Sequence, residues 1–135
     1  MNRRAFLLSA TAPALLAACA PTVQTAGVPG MGFIGPGFDG EVFISFDGAR
    51  LGLTRWPPDG PPRAVVVALH GMNDYANAFH FAAPVWAGAG IITYAFDQRG
   101  FGRSPGRGVW GGEALMTEDL RTCVDVVRRL HPDLP

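Results

Sequence analysis

Arg63-Ala64-Val65-Val66-Val67-Ala68-Leu69 runs directly into His70-Gly71-Met72-Asn73-Asp74, and the fold turns on this stretch. Residues 65–69 are apolar at every position. A strand with one wet face alternates apolar and polar side chains. A strand covered on both faces has no reason to, so an unbroken apolar run marks the middle of a parallel sheet. The change of character at His70-Gly71 ends the strand. A glycine at the carboxyl end of a central strand lets the backbone turn, and the following amides can face the crevice where open α/β sheets bind ligands. An amide placed there can stabilise an oxyanion, an effect of about 3 kcal/mol or more in a transition state.

Working outward, residues 77–89 carry Phe79, Ala82, Ala83 and Trp86 at helical spacing. Pro84 either lies in the first turn of that helix or kinks it, and Gly88 and Gly90 supply the stop. Ile91-Ile92-Thr93-Tyr94-Ala95-Phe96 is a second apolar run and predicts a second buried strand. Beyond a glycine-rich loop, Met116, Leu120, Cys123, Val124, Val127 and Leu130 form one apolar stripe, which predicts a helix over residues 117–130. Glu118 and Asp119 near its start and Arg128-Arg129 near its end suit the helix dipole, and Pro132 ends it. Upstream, residues 41–46 alternate with Val42, Ile44 and Phe46 on one face. Asp47-Gly48 is a turn signal, and Leu51, Leu53 and Arg55 alternate again toward Trp56, so an antiparallel hairpin is expected.

Hairpin, strand, helix, strand, helix is an α/β order with parallel strands joined by right-handed crossovers. The last helix has no strand to return to, and an apolar central strand is rarely left as an edge. The expectation is therefore a chain truncated after residue 135.

Asp97-Gln98-Arg99-Gly100-Phe101-Gly102-Arg103-Ser104 follows the second apolar strand. Gly-x-Gly after a strand suggests a dinucleotide loop, but the third glycine of that pattern is replaced by Pro105, which also blocks an immediate helix. Taken together and in order, His70-Gly71-Met72 and the 97–104 motif resemble the paired signatures of the α/β-hydrolase superfamily. The branch they resemble is that of monoacylglycerol lipases, lysophospholipases and serine aminopeptidases. The Asp47-Gly48 hairpin ending in Trp56-Pro57 is similar to that branch as well, so the resemblance runs from residue 41 to 135.

The resemblance implies the N-terminal half of an α/β-hydrolase fold, truncated before the nucleophile elbow. The Met72 N–H would be one oxyanion-hole donor, with His70 and Gly71 shaping its loop. The triad of this fold runs Ser, then Asp or Glu, then His, so His70 is not the expected base, and no catalytic residue is expected in this chain. No Gly-x-Ser-x-Gly occurs in it. Ser104, flanked by Arg103 and Pro105, is not a nucleophile, and Asp97 is expected to anchor the strand-end loop with Arg99. His80 and His131 have no partner pattern. The implied substrate is an ester, of acylglycerol or lysophospholipid type, cleaved through an acyl-enzyme. A peptidase or thioesterase of the same fold is an alternative, and an inactive lipoprotein fragment or binding module is another. No metal-ligand cluster and no cofactor loop is visible, and a serine hydrolase needs neither.

The amino terminus reads as an address. Arg3 and Arg4 precede the short apolar run of residues 7–18, the layout of an export signal of twin-arginine type. Pro13 interrupts the run, which is shorter than the roughly 20 residues of a membrane span. Leu16-Ala17-Ala18-Cys19 resembles a bacterial lipobox, with Cys19 the lipidated residue. The expected organisation is a signal peptide over 1–19, a flexible Gly/Pro-rich tether over 20–40 and the hydrolase part over 41–135. The expected location is a membrane, facing the periplasm. Cys123 is then the only other cysteine, which leaves no internal disulfide, and it reads as a small buried residue. The 135 residues carry no formal net charge, with 48% hydrophobic residues and arginine as the only strong base. That composition suits one small domain and gives no electrostatic reason to bind nucleic acid.

Overall fold

The computed structural model describes residues 22–135. Five strands form one mixed sheet: β1 (Gly37–Asp39), β2 (Val42–Ile44), β3 (Arg50–Trp56), β4 (Ala64–Ala68) and β5 (Ile91–Phe96), in the order β1-β2-β3-β5-β4. The first four in that order are antiparallel to their neighbours. β4 and β5 are parallel, with Ala64 opposite Ile91 and Ala68 opposite Ala95. A short 3-10 turn (Ala76–Phe79) and helix α1 (Ala82–Gly88) connect them, and α2 (Glu113–Leu130) follows β5.

β5 explains its own sequence. Ile92, Tyr94 and Phe96 pack with Phe43, Leu51, Leu53, Cys123, Val126 and Val127 on the α2 side. Ala95 faces the opposite layer, with Ala68, Ala76, Trp56, Val66 and Phe79. Both faces are covered, so the strand has no polar alternation. β4 shows the same division, Val65 and Val67 toward α2 and Val66 and Ala68 toward α1, but it lies at the sheet edge.

The helix expected over 77–89 is instead a 3-10 turn and a seven-residue helix, broken at His80-Phe81. Proline is the reason. In a helix starting at Ala82, Pro84 falls in the first turn, where an N–H has no intrahelical acceptor anyway. α2 begins four residues before the expected Thr117, because Glu113 to Met116 are good helix formers and Glu113 meets the positive end of the dipole. Its inward face is also rotated from the expected stripe. Asp119, Thr122, Cys123, Val126 and Val127 are buried, while Leu130 is 55% exposed.

Two further readings are corrected. The inward face of the first hairpin strand carries Phe43, Ser45 and Asp47, not Val42, Ile44 and Phe46. Ser45 and Asp47 are polar, so a hydrophobic pattern selects the wrong face. The segment read as a tether is docked as far back as Gln24, whose N–H donates to Trp110 O at 2.9 Å and whose side-chain amide donates to Val109 O at 2.6 Å. Gly27 N–H donates to Asp47 at 2.8 Å, and residues 37–39 are β1. Each of these backbone groups has found a partner on the domain, which a free linker lacks. The sheet thus begins before residue 41. Arg3, Arg4 and Cys19 lie outside the described residues.

Candidate active site

His70 follows β4 after one residue and is buried against the loop that follows β5. Its Nε2 accepts from the Gln98 backbone N–H at 2.9 Å. A backbone amide can only donate, so the proton of the neutral ring sits on Nδ1, which is 2.8 Å from Gly71 O and donates to it. Gln98 closes the arrangement by donating its side-chain amide to His70 O at 2.7 Å, and Phe101 stands edge-on to the ring at 5.6 Å. Both ring nitrogens are occupied by the backbone. The ring fixes the shape of the turn and has no free nitrogen to take a substrate proton.

The turn itself runs from Gly71 to Asp74, whose N–H reaches Gly71 O at 3.3 Å. The left-handed residue is Asn73, at φ 61°, rather than Gly71. Asparagine tolerates that region better than most side chains. A Cβ at Gly71 would meet nothing within 4 Å, so glycine there leaves open space beside the turn. Met72 is 70% exposed, and its N–H donates to no acceptor among the described residues.

Behind the turn, three buried carboxylates are used structurally. Asp97, at the end of β5, is fully buried. It accepts from Ala76 N–H at 2.7 Å and from Arg103 through N–H at 2.9 Å and Nε at 3.0 Å. It therefore joins the loop after β4 to the loop after β5. Its partner is Arg103, not the expected Arg99. Ser104 is buried, its hydroxyl donating to Asp97 O and accepting from Gly52 N–H at 3.1 Å.

Arg99 instead forms two paired contacts in the interior. It meets Asp47 at 2.7 and 2.9 Å and Asp119 at 2.7 and 2.8 Å, and Ser45 donates to Asp119 at 2.6 Å. Burial works against these charges, but the hydrogen bonds win. The Asp119 and Asp47 carboxylates hold the Arg99 guanidinium above its ordinary value. Against the desolvation of Asp47, the bonds from Arg99, Gly27 and Ala49 lower its carboxyl to about 2. Asp119 thus serves as an interior counter-ion rather than as a partner of the helix dipole.

Between the two loops lies a crevice of about 620 Å³, lined by Asn73, Asp74, Tyr75, Phe101, Arg103 and Arg107 among others. It opens outside the carboxyl ends of β4 and β5, where ligands bind in open α/β sheets. His70, Gly71 and Met72 lead directly into Asn73, the first residue of the crevice lining, and Gln98 holds His70 through two hydrogen bonds. The sequence reading gave Gln98 no role and missed the Asp47–Arg99–Asp119 cluster. The available signal was three charged residues adjoining apolar runs. His80 donates locally from Nδ1 to Asn77 O at 2.7 Å, and His131 meets the Tyr94 hydroxyl at 2.8 Å. Cys123 is buried and unpaired, and burial, with Asp119 nearby, pushes its thiol up to about 12. Among the described residues no cluster of three or more His, Cys, Asp or Glu side chains could hold a metal.

Comparison with known proteins extends this geometry. Monoacylglycerol lipase of Mycolicibacterium smegmatis is 39% identical over 94 residues, which cover 69% of this chain and 34% of that one. A serine hydrolase-like protein of Dictyostelium discoideum is 33% identical over 84 residues, 62% of this chain and 23% of its own. Among solved structures, a thermostable carboxyl esterase from Bacillus coagulans in complex with glycerol superposes with a TM-score of 0.60 at 28% identity. It covers 70% of this chain and 33% of the esterase. A lipase in its open form gives 0.57 at 25% identity, again over 70% and 33%. The chain spans about a third of the length of the lipase relative and of both structures. The family model described as serine aminopeptidase, S33, matches residues 60–135. With its mixed sheet and the loops that end β4 and β5, the chain belongs to that family of α/β-hydrolases.

Proposed function

We propose that the complete protein is a serine hydrolase that cleaves an ester of acylglycerol or lysophospholipid type through an acyl-enzyme, with its nucleophile beyond Pro135. The observation that carries this is the Met72 amide, unpartnered among the described residues, one residue before Asn73 of the crevice lining on a turn locked by His70 and Gln98. A fixed donor with no ground-state partner is what an oxyanion requires, because it need not reorganise as charge develops. In this reading Met72 N–H binds the carbonyl oxygen as the serine adds to it. The second donor is the amide after that serine, and the base and its orienting acid also come later in the chain.

The edge of the sheet supports this placement. Val65 N–H, which points away from β5, donates to Pro135 O at 2.9 Å. By the alternation of a parallel strand, Val67 presents its backbone groups to the same open side. A strand continuing from Pro135 along β4 would reach the end of β4, where the turn begins, after about 5 or 6 residues. Its carboxyl end would then deliver a nucleophile beside the turn. The monoacylglycerol lipase relative supports the glyceride substrate, and the family's aminopeptidase description favours peptide-bond cleavage as the second reading.

The same proposal includes location. Export through Arg3 and Arg4 and acylation of Cys19 would hold the enzyme on a membrane, facing the periplasm, close to lipid substrates. Labelling of the protein by a radioactive fatty acid in the cell should then be lost in Cys19→Ala, and undiminished labelling would contradict the acylation. For the chemistry, the gene extended past Pro135 is expressed and offered a monoacylglycerol, a lysophospholipid and an aminoacyl amide. Hydrolysis of the first two is expected. The 135-residue chain should turn over none of these, nor a short-chain aryl ester. Turnover by the shorter chain would place the nucleophile within it and overturn the assignment.

A further inference from the structure

Residues 28–34 form an outward loop with an unusual division of side chains. Val28, Met31 and Ile34 are each 92% or more exposed, whereas Phe33 is half-buried. Pro29 and Phe33 sit against Gly48, where a Cβ would come within 3.3 Å of Pro29 Cα. The base of the loop is pinned by Gly27 N–H on Asp47 and closed by Phe33 N–H on Gly30 O at 3.2 Å. Three large apolar side chains are thus presented on a braced support instead of being folded under. No charged residue occurs between Arg4 and Asp39, so nothing in the loop opposes entry into hydrocarbon. Close by, the exposed Arg129 donates to Pro36 O at 3.2 Å.

We propose that this loop is a wedge that enters the outer layer of a lipid bilayer through Val28, Met31 and Ile34. The occupant is a lipid surface rather than a protein groove because the three side chains stand almost fully exposed on a loop with no charged residue to pair. Eight residues lie between Cys19 and Val28, a span of at most about 30 Å of chain, so an anchor at Cys19 would hold the loop at the membrane face. The wedge also has an orientation. It rests on the turn that leads into β3, at the end of the sheet where Asp97 N–H meets Gly52 O. Asp47 in that turn is tied by Arg99 to the loop after β5. Insertion therefore turns the carboxyl ends of β4 and β5, and the crevice beside Met72, toward the lipid. The proposal rests on the ester-hydrolase reading only for that last consequence.

The test places a fluorophore in the loop. Met31→Cys and, separately, Asp59→Cys are made in the full chain carrying Cys19→Ala, and each is labelled with NBD; buried Cys123 does not react. Asp59 is beyond the other end of the seven-residue β3, about 20 Å from the wedge. Vesicles of phosphatidylethanolamine and phosphatidylglycerol are added, with and without lipids bearing a doxyl quencher in the acyl chain. Blue-shifted emission at position 31, quenched by the doxyl lipid, is expected, with neither change at position 59. Adding Ile34→Ser should weaken vesicle partition roughly tenfold or more, since one buried aliphatic side chain is worth that much. No quenching at position 31 overturns the wedge, whether the chain stays off the vesicle or binds only by its amino terminus. A blue shift that depends on protein concentration and not on lipid also overturns it, in favour of self-association. Acylation is read separately, from whether wild-type Cys19 still reacts with a maleimide, so the two failures are distinguishable.

Discussion

Removing Arg99 should cost the fold more than any other single surface-neutral change. Its guanidinium faces Asp47 and Asp119, with the three side chains at most 4% exposed. In Arg99→Met the two carboxylates keep their burial and lose their counter-ion. Breaking one side of a buried pair in this way costs about 3 to 5 kcal/mol, a large part of the 5 to 15 kcal/mol that holds a domain together. The pH dependence gives an independent estimate. The Asp47 carboxyl is lowered from 3.8 to about 2, which amounts to about 2 kcal/mol favouring the folded state. Because the folded value is the lower one, that stability is fully present above pH 3.8. It is lost as pH falls through the window down to about 2, where the folded state also takes up the proton. Urea unfolding followed by far-UV circular dichroism measures both effects. At pH 7, Arg99→Met should lose about 4 kcal/mol, and Arg99→Met combined with Asp47→Asn and Asp119→Asn should recover part of it, since no uncompensated charge is left buried. Between pH 4 and 2, Asp47→Asn should lose less stability than the wild type by about 2 kcal/mol. An Arg99→Met chain within about 1 kcal/mol of wild type, or an unchanged acid slope in Asp47→Asn, would refute the cluster as a determinant of stability.

Three further outcomes follow from local geometry. Gly102→Ala should destabilise by more than about 2 kcal/mol, because φ is +51° and the new Cβ would lie 2.5 Å from the Asp97 carboxylate. Gly71→Ala, with open space at its Cβ, should stay within about 0.5 kcal/mol, and equal losses in urea midpoints would contradict the assignment of strain to position 102. The Cys123 thiol, buried and raised to about 12, should resist a thiol reagent at pH 8 until urea is added, and rapid modification of the native chain would show that the α2 face opens. Gln98→Ala removes the side-chain bond to His70 O but not the backbone bond to the ring. In the complete enzyme it should lower kcat by about tenfold, one lost hydrogen bond, with KM nearly unchanged; a fall confined to KM would mean that Gln98 binds substrate rather than positioning the turn.

The apolar architecture was legible in the sequence because it is local. β5 occupies the residues its unbroken apolar run predicts, β4 differs only at its ends, and Pro132 marks the end of α2. What stayed hidden depends on partners far along the chain. Asp47 read as a turn signal and Asp119 as a dipole partner, and each description is locally adequate. Their shared cation is 52 residues from one and 20 from the other, a pairing that no periodicity encodes. The same cause reversed the hairpin face. Ser45 and Asp47 point inward because Asp119 and Arg99 are there to receive them, so a hydrophobic count assigned the interior to Val42, Ile44 and Phe46.

The site shows the same division, and it bears on what the motif after β5 is for. His70-Gly71-Met72 stands out in the sequence by its place at the end of a buried strand. The motif at 97–104 invites a search for a nucleophile or a phosphate, yet the side chain of each of its first three residues is engaged in structure. Asp97 holds the loop after β4 through Ala76, Gln98 holds His70 from two sides, and Arg99 fixes the motif to the hairpin turn and α2. A turn whose working group is a backbone N–H cannot be tuned by changing the side chain that carries it. It can be positioned only by what grips the neighbouring backbone, so if Met72 N–H is the oxyanion donor proposed above, its determinants lie in other segments. That is why a weak local motif gains meaning from a second motif about 27 residues later, and why the two loops must be read as one site.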